Sequence, residues 1–182
     1  MEDIETDRLV LRNFRRDDAA DLLVYLREPK ASCFLSLKLA DMEAAEAEAE
    51  KRGADDEHVA VCLKATDRLI GDLFAAADSE AETFSVGWNF NPLFGGHGYA
   101  LEAARALFRH LFEKRGARRL YAYVEDHNIA SQRLCEKLGM RKEGLFVEFV
   151  SFTDDDAGNP IYENTMQYAV LRREWMPEAA GA

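Results

Sequence analysis

A glycine-rich turn lies directly before a strong helical pattern in the middle of the sequence. Residues 91–103 read NPLFGGHGYALEA. Glycine has no Cβ, so the backbone N–H groups of such a turn can approach an anion closely and point toward it. A helix N-terminus adds N–H groups without partners and a partial positive charge. The turn therefore predicts a diphosphate site, although an ordinary loop before a helix is the competing interpretation. The residues expected at this site are Gly95, Gly96, His97, Gly98, Tyr99 and Ala100.

Two common nucleotide-binding motifs do not fit this turn. The dinucleotide fingerprint requires a further glycine three residues after Gly98, and that position holds Leu101. The P-loop requires a lysine followed by serine or threonine, and the turn contains no lysine. The turn therefore predicts neither a dinucleotide nor ATP as the ligand.

A second segment combines a capping residue with polar side chains on a short helix. Residues 128–140 read NIASQRLCEKLGM. Asn128 has the residue type that caps a helix N-terminus, and Gly139 has the type that ends one.

Strands and helices alternate around these two segments, as shown by their apolar spacing. In chain order the predicted elements are a strand at 7–14, helices at 15–28 and 41–52, strands at 58–63, 69–76 and 83–90, a helix at 100–112, a strand at 120–124, a helix at 128–139, and strands at about 145–152 and 164–171. No repeat or flexible linker divides them. The order predicts a single mixed α+β domain over residues 1–182.

Composition and charge narrow the classes of function. The net charge of −11 disfavours direct nucleic-acid binding and suits a cationic partner. Three scattered cysteines and four histidines give no metal-ligand spacing, so we expect no metal and reduced thiols. No apolar run is long enough to span a membrane, and the acidic N-terminus lacks the features of a secretory signal. We therefore expect a cytoplasmic protein.

Together, the two segments resemble the GNAT acetyltransferase superfamily, in particular its ribosomal-protein-acetyltransferase-like branch. The pyrophosphate loop of that family reads Arg/Gln-x-x-Gly-x-Gly/Ala, which residues 95–100 resemble. Its later Asn-x-x-Ser and Lys-Leu-Gly-Phe elements resemble residues 128–131 and 137–140. Residues 5–12 and 171–175 also look like that branch, so the resemblance covers nearly the whole chain.

The resemblance implies the GNAT fold and acetyl-CoA as the acyl donor. This fold has a central, mixed, mostly antiparallel sheet of about seven strands, flanked by helices and splayed between strands four and five. By chain order these strands are residues 83–90 and 120–124. Backbone groups of Trp88, Asn89 and Phe90 would pair with the pantetheine arm, and one N–H would polarise the thioester carbonyl.

The implied reaction is direct attack of a neutral amine on the thioester. It requires removal of a proton from the amine and benefits from a proton delivered to the departing thiolate. The usual leaving-group acid, a tyrosine, is replaced by Cys135, a weak donor that is more simply a packing residue. The resemblance makes Ser131 the candidate for hydrogen-bonding the sulfur, and Asn128 for holding the pantetheine or a water. Both residues could instead only satisfy the helix N-terminus.

Two more positions depart from the family, and the base is not assigned. Ser85 stands where relatives often carry a glutamate, and Gly95 replaces the first Arg or Gln of the loop. The remaining candidates for the base are Glu102, Glu125 and His127. Seven aromatic residues could line an acceptor pocket or simply pack in the core: Phe34, Trp88, Phe90, Tyr121, Tyr123, Phe146 and Phe149.

The sequence thus predicts an N-acetyltransferase that transfers the acetyl group of acetyl-CoA to a primary amine. The acceptor is expected to be a protein N-terminus or a small-molecule amine, without a membrane partner, and a homodimer is a possible assembly. The alternative is a protein of the same fold that senses acyl-CoA with little or no turnover.

Overall fold

The structure is a computed structural model that describes residues 1–175, and it contains one eight-stranded sheet. Most strands follow the predicted runs, because alternating apolar residues bury one face of each strand against helices. The strands are β1 Ile4–Glu5, β2 Leu9–Arg12, β3 His58–Leu63, β4 Leu69–Ala77, β5 Thr83–Phe90, β6 Arg119–Glu125, β7 Arg141–Asp154 and β8 Pro160–Leu171.

The strand order is β1-β2-β3-β4-β5-β6-β8-β7, and every neighbouring pair is antiparallel except β5 and β6. This arrangement confirms the predicted mixed, mostly antiparallel sheet with flanking helices. The sheet has one strand more than the seven expected, because Ile4 and Glu5 pair with Leu11 and Val10. Two residues are too few to give a periodic signal in the sequence. The predicted strands four and five are therefore β5 and β6.

The sheet opens between β5 and β6, at the predicted place. Their parallel pairing covers Thr83, Phe84 and Ser85 on β5, which face residues 119–121 on β6. Beyond these pairs, β5 continues to Phe90 without a pairing to β6. The two strands thus form a V whose inner edges have backbone groups free of strand partners, among the residues that the structure describes.

Helices cover both faces of the sheet. They are α1 Ala19–Leu26, α2 Met42–Gly53, α3 Tyr99–Glu113 and α4 Ile129–Lys137, with short 3-10 helices at Arg16–Asp18, Ser32–Leu37 and Pro92–Phe94. Helices α3 and α4 contribute to the larger apolar core, and α1 and α2 to a second core on β3 and β4. The 3-10 helix at Ser32–Leu37 connects α1 to α2 and also contacts β7, on the far side of the V.

Helix α3 is the central support of the larger core. Its apolar residues recur at helical spacing, and Leu107, Phe108, Leu111 and Phe112 are at most 3% exposed. Trp175 packs on the rings of Phe108 and Phe112, with centroids 5.5 and 5.7 Å apart. Burial of each such side chain stabilises the fold by about 1.5–3 kcal/mol. This packing fixes the position of α3 and therefore of its N-terminus.

The start of the chain is held by a buried ion pair. Arg12 donates two hydrogen bonds of 2.8 Å to the carboxylate of Asp18, and both side chains are at most 5% exposed. This pair fixes β2 against the beginning of α1. It therefore also fixes the preceding residues of the N-terminal segment.

The last two strands are longer than predicted. β7 begins at Arg141 and β8 at Pro160, whereas the sequence indicated starts near 145 and 164. Most β7 residues up to Phe149 are exposed, so they lack the alternation that marks a half-buried strand. The pairing is also irregular between Phe146 and Val150, where Glu148 has a φ of 50°.

Within residues 1–175, no helix is long and apolar enough to span a bilayer. No group of three or more metal-ligating side chains occurs in the same range. The single domain expected over 1–182 stays a prediction, since residues 176–182 lie outside the described part.

Candidate active site

A glycine turn with left-handed backbone connects β5 to α3. The short helix Pro92–Phe94 leads into the turn, where Gly96 and Gly98 have φ angles of 81° and 79°. Side chains with a Cβ rarely adopt that conformation, which explains the two glycines. A Cβ on Gly96 would meet no atom within 4 Å, so the space beside the turn is open to a ligand. We call residues 95–100 the phosphate cradle.

The first turn of α3 supplies hydrogen-bond donors to this cradle. Gly98 is the N-cap residue of α3 and provides no side-chain cap. The first N–H groups of a helix have no intrahelical acceptor, so those near Tyr99 and Ala100 are available to an anion. This geometry is compatible with a bound anion, and the diphosphate site stays a prediction.

Arg8 from the N-terminal segment holds the cradle in place. Its guanidinium binds the carboxylate of Glu102 with Nε–Oε2 and Nη2–Oε2 distances of 2.7 and 2.6 Å. Its Nη1 donates to the carbonyl oxygen of His97 at 3.0 Å, and it lies 4.5 Å from the ring centre of Tyr99. Burial would raise the pKa of Glu102, but hydrogen bonds from Thr6 and Arg8 lower it. Glu102 is therefore ionised, and the positive charge of Arg8 balances its negative charge beside the cradle.

Strand β5 and helix α4 meet across the V. The indole Nε1 of Trp88, on β5, donates to Oγ of Ser131, on α4, at 3.1 Å. Oδ1 of Asn128 accepts from the backbone N–H of Ser131 at 3.1 Å, as an N-cap does. Nδ2 of Asn128 donates to Oε2 of Glu125 at 3.2 Å. One hydrogen-bonded chain thus runs from β5 through α4 to the end of β6.

The expected pantetheine strand is exposed along one edge. Trp88, Asn89 and Phe90 pair with β4 on one side. Pairing with β6 ends at Ser85, so their other edge faces the V without a strand partner in the described residues. An extended ligand could add to this edge as a strand would.

The match to a protein family decides what this chain is. Residues 8–141 match the family described as Acetyltransferase (GNAT) domain, which is well over half of the chain. The chain belongs to the GNAT family. It is an N-acetyltransferase, and GNAT acetyltransferases use acetyl-CoA.

Individual relatives agree with this assignment. The uncharacterized N-acetyltransferase YnaD of Bacillus subtilis is 31% identical over 173 residues, covering 94% of this chain and 98% of the relative. The crystal structure of a GNAT-family acetyltransferase from Bacillus anthracis is 25% identical with a TM-score of 0.85, and the match covers 95% of this chain and all of that chain. A putative ribosomal-protein-serine acetyltransferase from Vibrio cholerae is 22% identical with a TM-score of 0.74, covering 93% and 97%. The last shows the fold alone.

In this acetyltransferase Cys135 is a core residue. Its side chain is fully buried in the larger core, and burial raises the pKa of the thiol to about 12. The role considered for it, protecting or protonating the CoA sulfur, would need a side chain that reaches the cleft. The structure instead supports packing, because a cysteine is too short to extend from this helix face as a tyrosine does.

The hydrogen-bond partners of the candidates for the catalytic base differ in the structure. Glu102 is bound by Arg8 at the cradle, and the side chain of His127 is 61% exposed beside Asp126. Ser85 is opposite Tyr121 in the sheet, and Tyr121 donates to Asp78 at 2.5 Å. Glu102, His127 and Ser85 are not part of the hydrogen-bonded chain that includes Trp88 and Ser131. Glu125 is part of this chain, through Asn128.

An aromatic cluster lies on the opposite face of β6 from the core. Tyr121, Tyr123, Phe146 and Phe149 contact one another with ring centroids 4.9 to 6.0 Å apart. The sequence favoured core packing for most aromatic residues, but Tyr123, Phe146 and Phe149 are 47%, 37% and 51% exposed. They form a surface beside the V.

A large groove lies elsewhere in the described residues. It has a volume of about 1580 Å³ and runs along α3 from Gly98 past Arg105 to Lys114, opposite the N-terminal segment. It begins at the cradle but does not include Trp88 or Ser131. We place the chemistry in the V, because the residues able to position an acyl donor meet there.

No local pattern in the sequence predicts a role for Arg8, although it lies within the N-terminal stretch that resembles the family. Its partner Glu102 is 94 residues away.

Proposed function

We propose that this acetyltransferase binds acetyl-CoA in the V and transfers the acetyl group directly to a primary amine. The observation that carries the proposal is the Trp88–Ser131 hydrogen bond, which brings the exposed edge of β5 and the start of α4 together. The phosphate cradle lies on the same connection between β5 and α3. Open space beside Gly96 and unpaired helix donors suit the diphosphate of CoA.

Ser131 is the proposed donor to the sulfur of the acyl donor. Its Oγ already accepts a hydrogen bond from Trp88, so its own hydroxyl proton remains available to donate. Asn128 fixes the first turn of α4 through the Ser131 N–H. Backbone N–H groups of residues 88–90 that face the V would stabilise negative charge on the carbonyl oxygen during attack.

The acceptor is proposed to be a protein N-terminus or a small-molecule amine. The Vibrio cholerae neighbour carries a ribosomal-protein name, which is consistent with the branch that the sequence resembles, but at 22% identity it supports only the fold. The net charge of −11 favours a cationic acceptor over nucleic acid. A homodimer and a cytoplasmic location stay predictions.

The test is calorimetric titration followed by an activity assay. We expect acetyl-CoA and CoA to bind and NAD and ATP not to bind. Acetyl-CoA with an amine acceptor should then release free thiol. Absence of acetyl-CoA binding would contradict the cofactor site, while binding without thiol release from any amine would favour the alternative of an acyl-CoA sensor.

A further inference from the structure

A buried carboxylate lies at the end of β6, where the V is widest. Glu125 is 5% exposed. Its Oε2 accepts from Nδ2 of Asn128 at 3.2 Å, and its Oε1 faces the N–H of Cys33 at 3.4 Å. Each of these donors is neutral. Within residues 1–175, Glu125 takes part in no salt bridge with a cationic side chain.

Glu125 lies on the face of the sheet that the aromatic cluster occupies. Alternation along β6 places Leu120, Ala122 and Val124 in the core, so Tyr121, Tyr123 and Glu125 share the opposite face. The 3-10 helix Ser32–Leu37 crosses this face and brings Cys33 to the carboxylate. Beside it, Ser32 donates to Glu163 at 2.7 Å.

Glu125 is also connected to the predicted reaction centre. Asn128 binds Glu125 with its Nδ2 and the N–H of Ser131 with its Oδ1. The carboxylate is therefore two hydrogen bonds from the residue proposed to contact the sulfur.

The carboxylate is in its charged form at neutral pH. Burial would raise the pKa of Glu125, but hydrogen bonds from Cys33 and Asn128 lower it. Neutral donors satisfy its oxygens, but a buried ion without a counter-ion is unfavourable. A cation that arrives with the substrate would complete this environment.

The cationic group that binds Glu125 is not the nitrogen that is acetylated. The attacking amine must be neutral, whereas a carboxylate beside an ammonium group stabilises its charged form. A residue that holds a charge throughout the reaction therefore suits a second cationic group on the acceptor.

We propose that Glu125 is a specificity-determining residue that binds a second cationic group of the acceptor, so that the preferred substrates are diamines or amines with a comparable cation. This inference rests on the proposed transfer to a primary amine. It adds that the acceptor carries two nitrogen functions, one that is acetylated and one that stays charged.

The test compares paired acceptors in the thiol-release assay. Straight-chain diamines of three to five carbons are each compared with the monoamine of equal length, for example 1,4-diaminobutane with n-butylamine. We expect the wild-type enzyme to favour the diamine at least about tenfold in kcat/KM, mainly through KM, as a buried ion pair would give. This ratio does not depend on whether any variant folds.

The variant Glu125→Gln then identifies the residue. We expect it to lose the diamine preference by raising KM for the diamine, so that the diamine and the monoamine of equal length have kcat/KM values within about threefold of each other. Asp126→Asn is the matched control, since it removes the same charge one residue away and should keep the preference. Circular dichroism verifies that both variants are folded.

The outcomes separate this inference from the proposed function. Equal use of diamines and monoamines by the wild type, or a preserved preference in Glu125→Gln, would overturn the role of Glu125 and leave amine acetylation intact. A fall in kcat for both acceptors would show that Glu125 acts in the chemistry instead. No thiol release with any amine would overturn both.

Discussion

Replacing Arg8 with alanine should weaken acetyl-CoA binding by exposing the cradle to the charge of Glu102. In the structure, Arg8 neutralises this carboxylate through Nε–Oε2 and Nη2–Oε2 contacts of 2.7 and 2.6 Å. Glu102 is in the first turn of α3, directly beside the cradle. Without Arg8, a diphosphate in the cradle would face an uncompensated negative charge.

The size of the effect follows from the geometry. Glu102 lies about one helical turn, or about 5.4 Å along the axis, from the start of α3, and we take about 7 Å as the distance from its carboxylate to a bound phosphate. Two unit charges at about 7 Å interact by about 2 kcal/mol at the effective dielectric constant of about 20 found near protein surfaces. The Arg8 side chain is 47% exposed, so water and salt reduce this value. We expect a loss of about 1–2 kcal/mol, or a Kd raised about 5- to 30-fold.

The double variant Arg8→Ala/Glu102→Gln tests the cause. Glutamine removes the charge but can still accept the hydrogen bond that Thr6 donates at 2.6 Å. Affinity should therefore return to within about threefold of wild type, which corresponds to less than about 0.7 kcal/mol. Titration calorimetry at low and at moderate salt measures each Kd, and the defect should shrink as salt screens the charge.

Arg16→Ala is the matched control for a general loss of positive charge. Arg16 is an exposed arginine that binds Glu46 and Glu50, far from the cradle in the sequence. It should leave the Kd unchanged. If the double variant binds as weakly as Arg8→Ala, Arg8 acts through its bond to the His97 carbonyl or through the ligand itself, and the electrostatic reasoning is refuted.

Three further predictions concern the cradle, the V and the N-terminal ion pair. Gly98→Val should abolish acetyl-CoA binding with a modest loss of stability, because φ is 79° and a Cβ would lie 3.6 Å from Nη2 of Arg8, which holds the cradle; wild-type affinity in calorimetry would show that the cradle is misplaced. Ser131→Ala should lower kcat more than it changes the Kd for acetyl-CoA, and an unchanged kcat with a good acceptor would remove Ser131 from the mechanism. Asp18→Ala should lower the free energy of unfolding by about 3–5 kcal/mol, since it leaves buried Arg12 without its partner; urea denaturation measures this, and a loss below about 1 kcal/mol would contradict it.

Local signals in the sequence determined the family, the fold class and the glycine turn before α3. The helical spacing of α3 and the glycines at 96 and 98 are set by neighbouring residues, because periodicity and φ preference act over a few positions. The same holds for Asn128 as the N-cap of α4. These features could therefore be predicted without coordinates, apart from the two-residue strand β1 and the exposed start of β7.

Tertiary structure decided which side chains work together. Three hydrogen-bonded pairs are far apart in the sequence. Arg8 and Glu102 are separated by 94 residues, Trp88 and Ser131 by 43 residues, and Cys33 and Glu125 by 92 residues. No local pattern encodes such pairs, since they depend on how the strands order themselves and where the sheet opens. The buried state of Cys135 has the same origin, because its helix face is identified only once α4 packs on the core. The sequence thus determined the elements, and their packing decided the charge environment of the cradle and the identity of the carboxylate in the V.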